Sequence, residues 1–265
     1  TNGWLITESA AKSLSNFPYL QVVISLDGMK DVHDQIRKPG AFDHVKRSFE
    51  ILNKNNVAGA CITTVTKKNI DCLEDIKRFL ISEKVNVWQL QIGLPMGNLS
   101  KHCDWVIEPS QVNDIVDFCY KTSNEGEIEV YPADCIGYYD DRITQVYKKS
   151  FGSNVNTQWK GCHAGIASFG ILHNGDIIGC TSIRGKEFVE GNIKTRTLSE
   201  IWEDPNSFSW RRNFTKDSLT GDCKKCKHAD ECLGGCPNTR YSMNGTMCSE
   251  NLYCTYNLKL KSSNT

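Results

Sequence analysis

In the first part of the chain, segments in which apolar residues recur at strand spacing alternate with segments in which they recur at helical spacing. Polar and apolar side chains take turns along 21–27, which predicts a strand, and apolar residues then recur at helical spacing along 42–52. The same succession continues with a strand over 58–65, a helix over 70–80, a strand over 85–92 and a helix that starts near Pro109. Strands and helices that alternate at this pace predict an α/β fold with a parallel sheet, open or barrel-shaped.

The third predicted strand indicates what one face of the sheet contacts. A parallel strand covered by helices on both sides is apolar on both faces, yet Gln89 and Gln91 occupy one face of 85–92. The first strand similarly places Ser25 and Asp27 on one face. We therefore predict a polar, ligand-sized cavity beside the sheet, with an edge position of the third strand as the alternative.

The character of the sequence changes after about residue 126. Helical periodicity fades there, and glycines, cysteines and short hairpins become frequent. We predict a first domain over 1–125, a connecting segment over 126–160 and a second domain over 161–265.

Thirteen cysteines are the outlying feature of the composition. A secreted disulfide scaffold would be shorter and would carry a signal peptide, so we expect a cytoplasmic protein whose cysteines bind metal or clusters. Lys+Arg and Asp+Glu both number 31, which gives no electrostatic footprint for nucleic acid or an anionic membrane. The apolar runs are also far shorter than the roughly 20 residues that span a bilayer.

The cysteines of the second domain fall into two groups. Cys162 and Cys180 flank a predicted hairpin, because Asn174-Gly175 between apolar runs is typical of a type I′ turn. Cys223-x2-Cys226-x5-Cys232-x3-Cys236 follows, with Cys248 and Cys254 beyond. These are more thiols than a single four-ligand zinc site needs, although two zinc sites remain an alternative.

This pattern resembles a known family. Cys162-x12-Gly175-x4-Cys180, followed by the second group up to Cys254, resembles the SPASM domain of radical S-adenosylmethionine enzymes. Upstream, Ser25-Leu26-Asp27-Gly28, His33-Asp34 and Arg37 resemble the fourth strand and following loop of their barrel. The resemblance implies the C-terminal part of a partial (β/α)6 barrel, followed by a small irregular α+β SPASM domain with a hairpin and Cys-rich loops.

The resemblance also implies the ligands of two auxiliary 4Fe–4S clusters. The first would be held by Cys162, Cys180 and Cys236, and the second by Cys223, Cys226, Cys232 and Cys254. Some family members carry a further cysteine where Ser168 stands here. Four alternatives therefore remain for the fourth ligand of the first cluster: Cys135, Cys248, a substrate group, or no ligand.

Three side chains are candidate S-adenosylmethionine contacts. Ser25 and Arg37 are carried over from the family motif, and Gln91 is inferred from its strand face. No catalytic side chain is identified. The sulfatase-maturing branch of the family carries Asp directly after the position of Cys180, whereas Thr181 stands here, which argues against that branch.

The implied function is modification of a peptide or protein after hydrogen abstraction by a 5′-deoxyadenosyl radical. The auxiliary clusters would transfer electrons or anchor the substrate, and a flavodoxin or ferredoxin would be the electron donor. The sequence lacks the Cys-x3-Cys-x2-Cys motif that binds the catalytic 4Fe–4S cluster. We therefore expect an incomplete chain, inactive alone, with that third cluster held by an upstream segment. The alternatives are a non-catalytic iron–sulfur electron carrier or scaffold and a zinc-stabilised peptide-binding module.

Overall fold

The computed structural model describes residues 1–133, 135–154 and 157–263. The chain forms two compact units, the first made of Thr1–Gln158 with Tyr253–Thr265 and the second of Trp159–Leu252. These units differ from the predicted boundaries. Part of the segment 126–160 forms a strand and a helix of the first unit, because both pack on its sheet and helices.

A parallel sheet organises the first unit, which confirms the predicted fold class. Its strands lie in chain order and are β1 (Gln21–Ser25), β2 (Ala58–Val65), β3 (Val87–Ile92) and β4 (Glu129–Pro132). β3 pairs with β2 on one side and with β4 on the other. The alternative that this strand lies at the sheet edge is therefore wrong.

The connections between these strands are helical, as their apolar spacing predicts. The α-helices are α1 (Glu8–Leu14), α2 (Lys30–Ile36), α3 (Ala41–Lys54), α4 (Leu73–Ser82), α5 (Val112–Glu125) and α6 (Asp141–Phe151). Short 3-10 turns occupy Ile70–Cys72, Gly97–Lys101, Cys103–Trp105 and Pro109–Gln111. α3 packs on β2, while α5 and α6 pack on β4.

The two faces of the sheet differ in burial. Trp88 is fully buried on one face, where its indole N–H donates to Thr63 Oγ1 at 2.8 Å and its ring meets Phe118 of α5 edge-on. Alternate residues on the opposite face, Gln89 and Gln91 among them, are only half-buried. The helices therefore cover the apolar face and leave the polar face partly accessible.

The second unit is built from a small antiparallel sheet and short helices. The strands are β5 (Gly170–Ile171), β6 (Asp176–Ile178) and β7 (Val189–Asn192), paired in that order. Gly175 takes a φ of 95° between the antiparallel strands β5 and β6, which confirms the predicted hairpin. Asn174 does not adopt the left-handed backbone, so the predicted type I′ turn is wrong. The helical segments are Lys186–Phe188 and Lys216–Ser218 (3-10), α7 (Leu198–Glu203), α8 (Ser209–Arg212), α9 (Gly221–Lys225), α10 (Ala229–Cys232) and α11 (Pro237–Asn244).

The chain then returns to the first unit with α12 (Thr255–Ser263). Tyr253 is fully buried just before this helix, and its hydroxyl donates to the Ile107 carbonyl at 2.7 Å. Burial raises the pKa of Tyr253 to about 12. Across the described ranges, no helix combines the length and the apolar character that a membrane crossing requires.

Candidate functional site

The second unit brings together three of the predicted cluster cysteines. Burial raises the pKa of the Cys162 thiol to about 11, and repulsion by Cys236 and Cys180 adds to the rise. Burial also raises the pKa of Cys236, with a contribution from Cys180. Thiolates that act on one another in this way lie near one another, so the segments before β5 and after β6 and the start of α11 place three cysteine thiols in one region.

Backbone N–H groups point at these sulfur atoms. The Ala164 N–H donates to Cys162 Sγ at 3.4 Å. Cys236 precedes α11, and the N–H groups of Asn238 and Thr239 in its first turn lower the Cys236 pKa against the effect of burial. Such donors stabilise sulfur in its anionic form and tune the potential of a bound cluster.

Two cysteines of the second predicted set also act on each other. Burial raises the pKa of Cys223, and Cys226 contributes to the same rise. The Asn251 N–H donates to Cys223 Sγ at 3.3 Å, and the His228 N–H donates to Cys226 Sγ at 3.4 Å.

The other two members of that set lie in different units. Cys232 is buried at the end of α10 in the second unit. Cys254 is buried next to the start of α12 in the first unit. Its assignment to the second set therefore rests on the sequence resemblance.

Thiol side chains are the donors that iron–sulfur clusters use. All thirteen cysteines lie within the described residues, and none of them forms a disulfide. Within the same residues, no three His, Cys, Asp or Glu side chains converge closely enough to share one metal ion. The ligands of a 4Fe–4S cluster do not have to converge on one atom, because each thiolate binds a separate iron.

The candidate fourth ligands lie in different places. Cys248 lines an open cavity of about 380 Å³ in the second unit, beside Phe188 and Trp210. Cys135 is half-buried between β4 and α6 in the first unit. Ser168, which replaces the additional family cysteine, is exposed and donates to the His163 carbonyl.

In the first unit, two predicted S-adenosylmethionine contacts share the accessible face of the sheet. Ser25 is half-buried at the carboxyl end of β1, beside Ile62 of β2. Gln91 lies two strands away and donates to Thr64 Oγ1 at 2.9 Å. Ligands of open α/β sheets bind beyond the carboxyl ends of the strands, which is where these side chains lie.

Arg37 is held by an ion pair instead of extending freely over that face. Its Nε donates to Asp27 Oδ2 at 2.5 Å, and its side chain remains 40% exposed whereas that of Asp27 is 2% exposed. Asp27 Oδ1 accepts the Thr64 N–H at 2.9 Å, so this carboxylate fastens the end of β1 to β2. The Asp27 side chain is consequently buried and does not line the polar face.

Two further motif residues order the loop after β1. The Asp27 N–H donates to Nδ1 of buried His33, and burial lowers the pKa of this histidine. Asp34 accepts the N–H groups of Gly40 and Phe42, both at 2.8 Å, which lowers its pKa and fixes the start of α3. These polar residues thus have structural roles that follow from the loop geometry.

Sequence reasoning missed three side chains of these sites. Asn69 is fully buried and bonds both β1 and β2 at their carboxyl ends. Arg211 donates to the Cys162 carbonyl at 2.8 Å, and Arg240 is buried beside the Cys223 group. Only the position of Arg240 four residues after Cys236 could have drawn attention to it.

Comparison with known proteins agrees with this arrangement. The family model of the SPASM iron–sulfur cluster-binding domain matches residues 162–227. The AdoMet-dependent heme synthase of Oleidesulfovibrio alaskensis is 27% identical over 98% of this chain and 67% of its own length. The cysteine-type anaerobic sulfatase-maturating enzyme of Clostridium novyi is 27% identical over 96% of this chain and 67% of its own length.

A solved structure shares the fold. Native anSMEcpe with bound AdoMet and Cp18Cys peptide superposes with a TM-score of 0.69 at 22% identity, covering 99% of this chain and 72% of its own. The chain thus spans about two thirds of the relatives it matches. Together with the cysteine pattern and the parallel sheet, these similarities support the predicted resemblance of the chain to radical S-adenosylmethionine enzymes that contain a SPASM domain.

Proposed function

We propose that the chain supplies a cofactor-binding sheet and both auxiliary cluster sites of an enzyme that modifies a peptide or protein. The observation that carries this proposal is the proximity of three cysteines in the second unit, where Cys180 acts on both Cys162 and Cys236 and Cys236 also acts on Cys162. Cys223, Cys226, Cys232 and Cys254 would hold the second cluster.

The carboxyl end of the parallel sheet would bind S-adenosylmethionine. When bound, this cofactor supplies the 5′-deoxyadenosyl radical that removes a hydrogen atom from the substrate. Ser25 and Gln91 offer hydrogen-bonding groups on the half-buried face of β1 and β3. The exposed part of Arg37 offers further N–H donors, while its bond to Asp27 orients the guanidinium.

The auxiliary sites would hold their clusters away from water and set their potentials. The N–H donors to Cys162, Cys223 and Cys226 are suited to sulfur atoms that carry negative charge. A flavodoxin or ferredoxin would supply electrons to the enzyme.

The substrate class is proposed from two relatives. One is named a sulfatase-maturating enzyme, and the solved neighbour contains a peptide together with AdoMet. Thr181 replaces the Asp of the sulfatase-maturing branch, so the proposal extends to peptide or protein substrates as a class and not to sulfatases.

Iron and sulfide content of anaerobically prepared protein tests the cluster sites. We expect about eight irons and eight sulfides per chain, four of each for every 4Fe–4S cluster. Cys236→Ala and Cys254→Ala should each lose about four irons, from the first and the second site respectively. Cys103→Ala is the matched control, since this exposed cysteine lies in neither set, and it should retain all of the iron. Zinc without sulfide would contradict the proposal in favour of a metal-stapled binding module.

Calorimetric titration with S-adenosylmethionine tests the sheet. Gln91→Ala should raise Kd by about tenfold, the effect of one or two lost hydrogen bonds. Gln21→Ala is the matched control, because Gln21 lies on the same strand face at the opposite, amino end of the sheet. Equal effects of the two substitutions would refute the assignment of the carboxyl end.

A second candidate substrate is a tetrapyrrole. It is favoured by the heme synthase relative, whose identity to this chain equals that of the sulfatase-maturating relative. Titration with hemin distinguishes the two candidates, because a saturable shift of the porphyrin absorption at one equivalent per chain would support the tetrapyrrole. The absence of any shift would leave the peptide class as the proposal.

A further inference from the structure

A buried arginine lies against the backbone of the predicted second cluster site. Arg240 of α11 is only 1% exposed. Its Nη2 donates to the Leu233 carbonyl at 3.0 Å, and Leu233 directly follows Cys232. Its Nη1 donates to the carbonyl of Met247. The guanidinium is thereby fixed beside the loop that carries Cys223, Cys226 and Cys232.

The neighbouring glycine shows how closely this group approaches the loop. Gly234 has a φ of 77°, and a Cβ added there would lie 3.0 Å from Arg240 Cζ. A side chain at this position would therefore be strained in its backbone and would displace the guanidinium.

The same arginine also borders the first predicted site. Arg240, Cys162, Trp210 and Phe214 line one small enclosed pocket of the second unit. The Arg240 guanidinium carbon lies 5.0 Å from the centre of the Phe214 ring. Moreover, Arg240 follows Cys236 by one helical turn in α11.

The charge of this arginine favours negative sulfur. An arginine keeps its positive charge at any ordinary pH, and hydrogen bonds to neutral carbonyls leave the net charge in place. Because Arg240 donates to the carbonyl of the residue directly after Cys232, its charge lies beside the backbone of this predicted site. A charge buried among apolar rings is screened by salt less than a charge at the surface.

These relations have a consequence for electron transfer. A 4Fe–4S cluster with thiolate ligands is anionic, and reducing it by one electron adds another negative charge. A fixed cation nearby stabilises the reduced form more than the oxidised form, so it raises the reduction potential.

We propose that Arg240 raises the reduction potential of the auxiliary clusters, with its larger effect at the site of Cys223, Cys226 and Cys232. This role rests on the proposed function, because it requires clusters at the two cysteine sets. Arg240 acts through the clusters and does not touch the substrate.

Redox titration of the reconstituted chain, followed by electron paramagnetic resonance with dithionite as the electron source, tests the proposal. Arg240→Gln should lower the equilibrium constant for one-electron reduction by about tenfold, which corresponds to about 59 mV. Arg240→Lys keeps the charge and should stay within about threefold of the wild type. Equal shifts in both variants, or no shift in Arg240→Gln with full iron content, would overturn the proposal.

Arg212→Gln provides a matched control. Arg212 also donates to backbone carbonyls, those of Gly165 and Trp202, and also lies over an aromatic ring at 4.8 Å. Removing its charge should leave the potential of the second cluster within about threefold of the wild type.

Iron analysis separates the possible failures. If Arg240→Gln does not retain iron, the iron content and potential of Arg240→Lys distinguish the two explanations. Full iron content at the wild-type potential supports the role of the charge. Loss of iron in Arg240→Lys as well indicates a purely structural role and overturns the proposal. Wild-type protein without iron and sulfide would instead refute the proposed function on which the inference rests.

Discussion

Asn69 ties the carboxyl ends of β1 and β2 together, and replacing it with alanine should destabilise the first unit. The side chain is fully buried. Its amide nitrogen donates to the carbonyls of Asp27 at 2.8 Å and Thr64 at 2.9 Å, and its oxygen accepts the Thr66 N–H at 2.7 Å. Alanine would leave all three backbone groups without this partner in the interior.

The magnitude follows from the number of bonds. A buried hydrogen bond contributes about 1 kcal/mol net, and a buried group left unsatisfied costs about 1 to 3 kcal/mol. Asn69→Ala should therefore lower the free energy of unfolding by about 3 kcal/mol. Asn69→Asp keeps the acceptor, loses both donors and buries a charge, so it should destabilise the unit at least as much.

Hydrogen exchange in increasing urea, read on peptides that cover β2, measures this free energy for the first unit. Asn53→Ala is the control, because the Asn53 side chain donates a single bond, to the Glu83 carbonyl at 2.7 Å. Its effect should stay within about 1 kcal/mol. The reasoning is refuted if Asn69→Ala differs from the wild type by no more than Asn53→Ala does.

Two further predictions concern the loop after β1 and the second unit. Burial lowers the pKa of His33 below its usual 6.5, so the unfolded state binds the extra proton first. The stability contributed by neutral His33 should therefore be complete above about pH 6.5 and should fall as the pH drops through the lowered pKa. His33→Asn retains an acceptor for the Asp27 N–H, so this variant should lose the pH dependence. Urea unfolding from about pH 7.5 to 5 measures the difference. The Glu190 carboxylate accepts the Phe208 N–H at 2.7 Å and the Trp210 indole N–H at 3.0 Å. Glu190→Gln places an amide NH2 opposite one of these donors, so it should lower the free energy of unfolding by about 1 to 2 kcal/mol. A change below about 0.5 kcal/mol in urea unfolding followed by Trp fluorescence would contradict this expectation.

Local patterns in the sequence were sufficient to predict the elements. The strand predicted over 58–65 coincides with β2, and the period-2 run over 21–27 contains β1, because alternation along a strand is set by the backbone itself. Asn174-Gly175 predicts the hairpin, although only Gly175 adopts the left-handed backbone and the turn is not of type I′. Thr197 and Glu200 form a capping box at the start of α7, and their Thr-x2-Glu spacing is visible in the sequence.

The cluster chemistry was also predicted from spacing. The spacing predicts that pairs such as Cys223 and Cys226 meet through a short local turn, whereas the division of seven cysteines into two sets is what the family resemblance implies. That these sets bind two clusters stays a prediction, and so do the S-adenosylmethionine contacts.

The partners of individual polar side chains were decided only by the tertiary structure. The family resemblance implies that Arg37 contacts the cofactor, and only the fold shows that it also pairs with buried Asp27. Asn69 reaches the Asp27 carbonyl 42 residues away in the chain, and Arg240 donates to the Leu233 carbonyl in the loop before α11. Hydrophobic periodicity and turn propensity depend on residues that are neighbours in the chain. A buried amide or guanidinium instead forms hydrogen bonds with the carbonyls that the packed fold places beside it, and these partners cannot be predicted from a pattern along the sequence.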